Sequence, residues 1–148
     1  MADIHIESGP WTFTGATTIL TPMITRPSVV NLTPTAVTLT RADSAKVSIQ
    51  TLASGTQTYT LPLATAAAGA VFTFICQDAG SEILINPNAA DQISIKGLVD
   101  HSTSVKPAAG TGVKNTAATN VIGDHLTLVC DGVATWYEIA GAGIWASQ

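Results

Sequence analysis

The stretch GDHLTLVCDGVATWYEI, residues 123–139, brings Asp124, His125, Cys130 and Asp131 close together in the chain. An acid, an imidazole and a thiol are the parts of an activated cysteine nucleophile or of a metal site. Strand geometry separates them. Residues of like parity share a face, so His125, Thr127, Val129 and Asp131 point one way and Leu126, Leu128 and Cys130 the other. Cys130 therefore belongs with the leucines, and a Cys130–His125 dyad would need an intervening bulge. Cys76 shares a face with Phe72 and Phe74 by the same parity. Both thiols read as small buried hydrophobes. A disulfide between them needs Cα atoms within about 7 Å, and a cytosolic history favours free thiols.

The other chemistry-bearing residues are scattered. Asp-His occurs at 100–101 and at 124–125, and His5 lies between Ile4 and Ile6. Three histidines bind a metal only if loops bring them together, and neither an HExxH pattern nor paired CxxC spacing is present. Gly123–Asp124 reads as a turn opening a strand, and Asp131–Gly132 as a hairpin turn in which Gly supplies a positive φ. Glu82 and Glu138 have no carboxylate partner nearby in sequence, so a two-carboxylate hydrolase has no support. Asn31-Leu32-Thr33 fits a glycosylation sequon, but the start MADIHIESGP has no secretory leader to give it meaning. The expectation is a protein that is not an enzyme, with no catalytic, metal or cofactor residues to assign.

The elements that carry these residues have a period of two. KVSIQTL sets Val47, Ile49 and Thr51 against Lys46, Ser48 and Gln50. TYTLPL follows, with Pro62 marking an edge or a strand end. VFTFICQD places Phe72, Phe74 and Cys76 on one face, with Val71 and Ile75 keeping the second partly apolar. DAGS then turns into EILINP, so residues 71–87 read as a hairpin. DQISI alternates Ile93 and Ile95 with Ser94 and Lys96, and HLTLVC and TWYEI form a closing hairpin through DGVA. Strands every eight to twelve residues predict an all-β fold, an antiparallel β-sandwich of jelly-roll-like or barrel-like form. ATAAAGA, residues 64–70, is too short for a helix and reads as a loop or one turn. Some 25 residues from Val99 to Asp124 lack a clear period and are functional, mobile or hiding short strands.

Residues 1–37 are different: Pro10, Pro22, Pro27 and Pro34 favour extended chain. They read as an extended N-terminal arm preceding a sandwich domain over 38–148. Its apolar anchors are Trp11, Phe13, Ile19, Leu20, Met23 and Ile24, the residues expected to touch a partner. The arm packs either on its own domain or on a neighbour.

Composition narrows the class of function. Only 11% of the 148 residues are charged, against about 25% in an ordinary domain. Such a surface meets other protein at little desolvation cost, which favours an assembled protein. The net charge is −4 and the six basic residues are dispersed, so nucleic acid is not an expected partner. No apolar run reaches the ~18 residues of a membrane helix, so no membrane partner is expected either.

Residues 38–139 as a block resemble small virion proteins of tailed bacteriophages. The likeness lies in the DSAKV strand, the YTLPLA…AGAVFTF segment and the GDHLTLVCDG…WY hairpin. It implies a β-rich, commonly trimeric protein that binds the major capsid protein. The expected function is that of a capsid decoration (cement) protein, made in the host cytoplasm and carried on the virion surface. A head- or tail-fibre domain binding a host receptor or glycan is the alternative, with Trp136, Tyr137 or Trp145 stacking on sugars. Trp136 and Tyr137 have opposite parity, so at least one belongs to the core.

Overall fold

A computed structural model describes residues 29–32, 35–96, 104–105 and 107–148. The all-β expectation holds: these residues form strands, with single 3-10 turns at Arg41–Asp43 and Ala64–Ala66. The strands are β1 (Val29–Leu32), β2 (Ala36–Thr38), β3 (Val47–Gln50), β4 (Gly55–Thr60), β5 (Val71–Cys76) and β6 (Ser81–Asn86). Then come β7 (Gln92–Lys96), β8 (Ser104–Val105), β9 (Val113–Asn115), β10 (His125–Cys130), β11 (Thr135–Ala142) and β12 (Trp145–Ser147). One sheet has the order β1-β3-β5-β10-β11-β7-β8 and the other β12-β9-β6-β4-β2.

The expected antiparallel pairing is corrected. Both sheets are mixed, with β1–β3, β3–β5, β7–β11, β2–β4 and β4–β6 parallel. Neither sheet closes, so the barrel-like alternative is also set aside. Successive strands from β1 to β6 alternate between the sheets, and each of β1 to β4 pairs in parallel with the strand two further on. In both sheets the pairing β3–β5 and β4–β6 carries one offset: Val47 meets Thr73 and Gly55 meets Ser81, 26 positions apart in each case. Residues 47–60 and 73–86 are thus consecutive coils. The 71–87 segment is not a hairpin, because β5 and β6 lie in different sheets. Its Asp-Ala-Gly-Ser turn carries the chain across the core rather than back along one sheet.

The closing hairpin does form. β10 and β11 pair antiparallel around Asp131–Ala134, with a bulge where Leu128 opposes Glu138 and Thr127 opposes Ala140. This hairpin inserts between β5 and β7 and so completes the middle of the seven-stranded sheet. Two other expectations are met. β4 stops before Pro62, and the aperiodic 99–124 stretch contains the short strands β8 and β9. Residues 29–32 and 36–37, assigned by sequence to the arm, lie in strands paired with β3 and β4.

The sheets share one core. Tyr59, Leu61, Ile83, Ile85 and Val113 come from the five-stranded side; Phe72, Phe74, Leu126, Leu128 and Trp136 come from the other. Ring centroids of Tyr59 and Phe74 lie 4.9 Å apart across the sheets, and those of Phe72 and Trp136 5.5 Å apart within one. Tilted pairs of this kind contribute about 0.5–1.5 kcal/mol beyond their area. Ala64, Ala67 and Ala70 are buried, so the Ala-rich turn is a small-residue wall of the core rather than a surface loop.

Candidate functional site

The supposed reactive cluster is taken apart by the fold. Asp124 precedes β10 and Cys130 ends it, so the strand holds them roughly 20 Å apart, at opposite ends of the domain. Cys130 is buried with Leu126 and Leu128, whereas His125 lies on the outer face. The bulge at this hairpin leaves β10's own alternation intact, with the extra residue on β11. His125 Nδ1 lies 3.1 Å from the Gly123 carbonyl. Cys76 and Cys130 are free and buried. Their strands are neighbours, but Cys76 pairs with the start of β10 and Cys130 with the residue before β5, so they too sit at opposite ends.

Neither thiol is activated. Burial pushes the Cys76 thiol up, Asp124 and Asp78 push it further, and its Sγ donates to the Asp78 carbonyl at 3.4 Å. Burial likewise raises Cys130, whose Sγ donates to the Ala64 carbonyl at 3.4 Å. A thiolate nucleophile needs the opposite environment. Asp131 is turn punctuation, as read. Its Oδ1 accepts the N–H groups of Val133, Ala134 and Thr135, and these bonds, that to Thr135 foremost, hold its carboxyl below the usual range. Gly132 has φ +79°, the conformation expected of it. His5 and His101 lie outside the described residues. Among the described residues no three His, Cys, Asp or Glu side chains converge as metal ligands.

Buried polar side chains instead fasten loops. Asp124 Oδ2 accepts from Asn115 Nδ2 and from the Val121 N–H, both at 3.0 Å, and Asn115 Nδ2 also reaches the Ile144 carbonyl at 3.1 Å. Asn120 accepts from the Gly80 N–H at 3.0 Å and donates to the Ser81 carbonyl. Gln50 donates to the Leu52 carbonyl at 2.7 Å and accepts from the Asp78 N–H at 3.3 Å, tying one coil's turn to the next. This explains the orientation of β3. Ser48 and Gln50 face inward, and Val47 and Ile49 face outward.

That outward turn exposes the feature most suggestive of function. The pairing registers align Val47 and Ile49 of β3, Val71, Thr73 and Ile75 of β5, and His125, Thr127 and Val129 of β10 on the outer face. Tyr137 of β11, opposite Val129, continues the face and is 46% exposed, and Ile139 at the bulge is 58% exposed. Asp, Glu, Lys and Arg are absent from these positions. Thr73 and Thr127 hydroxyls bond to each other at 3.0 Å, so the polar groups at the centre are mutually satisfied. The outer face of the five-stranded sheet is the contrast. Thr56, Thr58, Thr60, Glu82, Asn86 and Lys114 lie there around a single aliphatic residue of β6, Leu84, with Lys114 3.6 Å from Glu82. The asymmetry was foreshadowed only by Val71 and Ile75, the residues that made both faces of VFTFIC apolar.

Of the aromatics offered for sugar stacking, Trp136 and Trp145 are buried and Tyr137 is exposed. The arm residues Trp11, Phe13, Ile19, Leu20, Met23 and Ile24 lie outside the described residues. No family model matches the chain, and no curated protein matches it in sequence.

Proposed function

We propose that this chain is a phage capsid decoration protein. In this reading its two sheets form a sandwich, and it binds the major capsid protein on the outer surface of the head as a homotrimer, stabilising the shell. The single observation that supports the reading is the apolar outer face that β3, β5, β10 and β11 present in the middle of the seven-stranded sheet, where the named positions hold no Asp, Glu, Lys or Arg. An antiparallel or mixed sheet with a solvated face carries polar residues there. A face of Val, Ile, Thr and Tyr suits a surface that works covered by protein, because little desolvation opposes the contact. Many identical copies on a lattice then gain strength through avidity, without a deep pocket.

Receptor or glycan binding by a fibre domain is the weaker reading. Stacking needs exposed rings, and of the three proposed only Tyr137 is one. The deciding experiment mixes purified protein with undecorated phage heads and follows co-sedimentation and the heads' resistance to heat. Saturable binding with a raised disruption temperature is expected. Failure to bind heads, together with binding to host cells or a glycan array, overturns the decoration reading in favour of the fibre one.

A further inference from the structure

We infer that copies of this chain meet head to tail, the Val121–Ile122 turn of one seated on the end of the next that carries Leu63 and Val133. The inference deepens the homotrimer reading and rests on it only in taking a second copy as the partner. The large exposed apolar side chains among the described residues fall in three places. Tyr137 and Ile139 belong to the outer face already described. Val121 and Ile122, 62% and 67% exposed, cap the end of the domain where β10 begins. Val133, 70% exposed, and Leu63 lie at the end where β10 stops. The loops of Leu63 and Val133 are packed together there. Cys130 Sγ donates to the Ala64 carbonyl, and a Cβ on Gly132 would sit 2.6 Å from that of Ala68.

Both tips are built to hold still. The Asp124 carboxylate accepts the Val121 N–H, and the Asp124 N–H donates to the Val121 carbonyl at 3.0 Å. Gly123 at φ +96° completes the pattern of a type II turn with Ile122 at its corner. Buried Asn120 pins the same loop to Gly80 and Ser81. At the other end Asp131 accepts the Val133 N–H at 2.8 Å. Apolar side chains fixed in place lose little further entropy on docking, as interface anchors do. The ends are also large enough. Two sheets ~10 Å apart with their outer side chains, some five strands wide, present roughly 20 by 25–30 Å, on the order of 500–600 Å². That approaches the about 600 Å² per partner of the smaller specific interfaces. Charge and symmetry pair unlike ends. Asp78 stands with Asp124 at the first end, where two copies would repel, whereas Arg41 and Lys46 stand among the carboxylates of the second. A cyclic trimer needs a heterologous contact of this kind, because only a two-fold axis sets a patch against itself.

The test is the mass of the full-length protein in solution, followed by light scattering over a range of concentrations. No phage heads are present, so its failure is distinguishable from failure of the decoration reading; heads bound by a monomeric protein would overturn this inference alone. Ile122→Asp and Val133→Asp each place a carboxylate on one tip, and Thr58→Asp on the outer face of the five-stranded sheet is the control. The unaltered chain should assemble and Thr58→Asp should match it. Each tip variant should weaken self-association about thirtyfold or more, the loss of an interface anchor. Mixing the two tip variants decides the polarity. Ile122→Asp keeps an intact Val133 end, and Val133→Asp an intact Val121–Ile122 turn, so the equimolar mixture should recover dimers and nothing larger. A mixture that stays monomeric, an unaltered chain that is monomeric throughout, or assembly that survives either tip variant overturns the inference. Should circular dichroism show an aspartate variant unfolded, Ile122→Ser and Val133→Ser, which add no charge, replace the pair with the same expected outcomes.

Discussion

Replacing Asp124 by Ala probes the fastening of the β10 entry. Two donors address Asp124 Oδ2, the Asn115 amide and the Val121 N–H, each at 3.0 Å. The substitution leaves Val121 N–H without this acceptor, whereas Asn115 keeps the Ile144 carbonyl at 3.1 Å. Hydrogen bonds to a charged group contribute about 1.5–3 kcal/mol each, so Asp124→Ala should cost about 3 kcal/mol. Gly143 sharpens the prediction. Its φ is +91°, and a Cβ there would sit within the Asp124 carboxylate. Gly143→Ala alone therefore carries about 1 kcal/mol of backbone strain plus the clash. In the Asp124→Ala background the clash is gone and the strain alone remains. The double variant should be more stable than the sum of the singles by at least about 1 kcal/mol. Equilibrium urea denaturation of the four proteins measures the cycle. With a slope near ~2 kcal/mol/M, the single Asp124→Ala should lower the midpoint by about 1.5 M. Additivity of the two substitutions to within about 0.3 kcal/mol would refute the geometry.

Other outcomes follow from the same structure. Among the described residues the buried Tyr59 hydroxyl has no hydrogen-bond partner, and burial raises its pKa, so Tyr59→Phe should stabilise the protein by about 1 kcal/mol in the same assay; destabilisation would show the hydroxyl to be satisfied. Lys46 Nζ, 2.6 Å from Asp43, holds that carboxyl down at about 2. Because the folded value is depressed, the pair's contribution is present above the ordinary carboxylate pKa of 3.8 and fades as pH falls through 2. After solvent screening it is about 0.5–1 kcal/mol at neutral pH. Lys46→Met should shrink that difference and move the Asp43 carboxyl resonance's midpoint part of the way back up, because the Thr40 hydroxyl and N–H still donate to the carboxylate. Cys76 and Cys130 should react with a thiol reagent only after denaturation, since both are buried with raised pKa values; fast labelling of the native protein would contradict their placement.

Some of this architecture was legible in the sequence because it is local. The parity of HLTLVC placed Cys130 inside and His125 outside, and DGVA gave its turn correctly. Partner choice was not local. DAGS is compatible with a hairpin and equally with a crossing between sheets, and what decides is pairing 26 positions away, from Val47 to Thr73. Alternation also gives a period without a sign. In KVSIQ the apolar residues faced outward, because Gln50 inside could satisfy both ends of its amide with Leu52 and Asp78. The candidate surface was hidden for the same reason. Its members come from four strands and become neighbours only once the register is known.

The position of the β10–β11 hairpin constrains the order in which a nascent chain acquires this structure. Thr73 finds Thr127 across 54 residues, so β5 has no partner on that side until nearly the whole polypeptide has been synthesised. Until then the parallel coils β1–β6 present a bare hydrogen-bonding edge, the kind on which other chains can pair. Contacts so distant along the sequence also form slowly. Truncation or stalling upstream of residue 125 would leave a protein without β10 and β11 in the middle of one sheet and without β12 at the edge of the other. Cells making such fragments should accumulate them as aggregates, while full-length chains escape by closing the gap last.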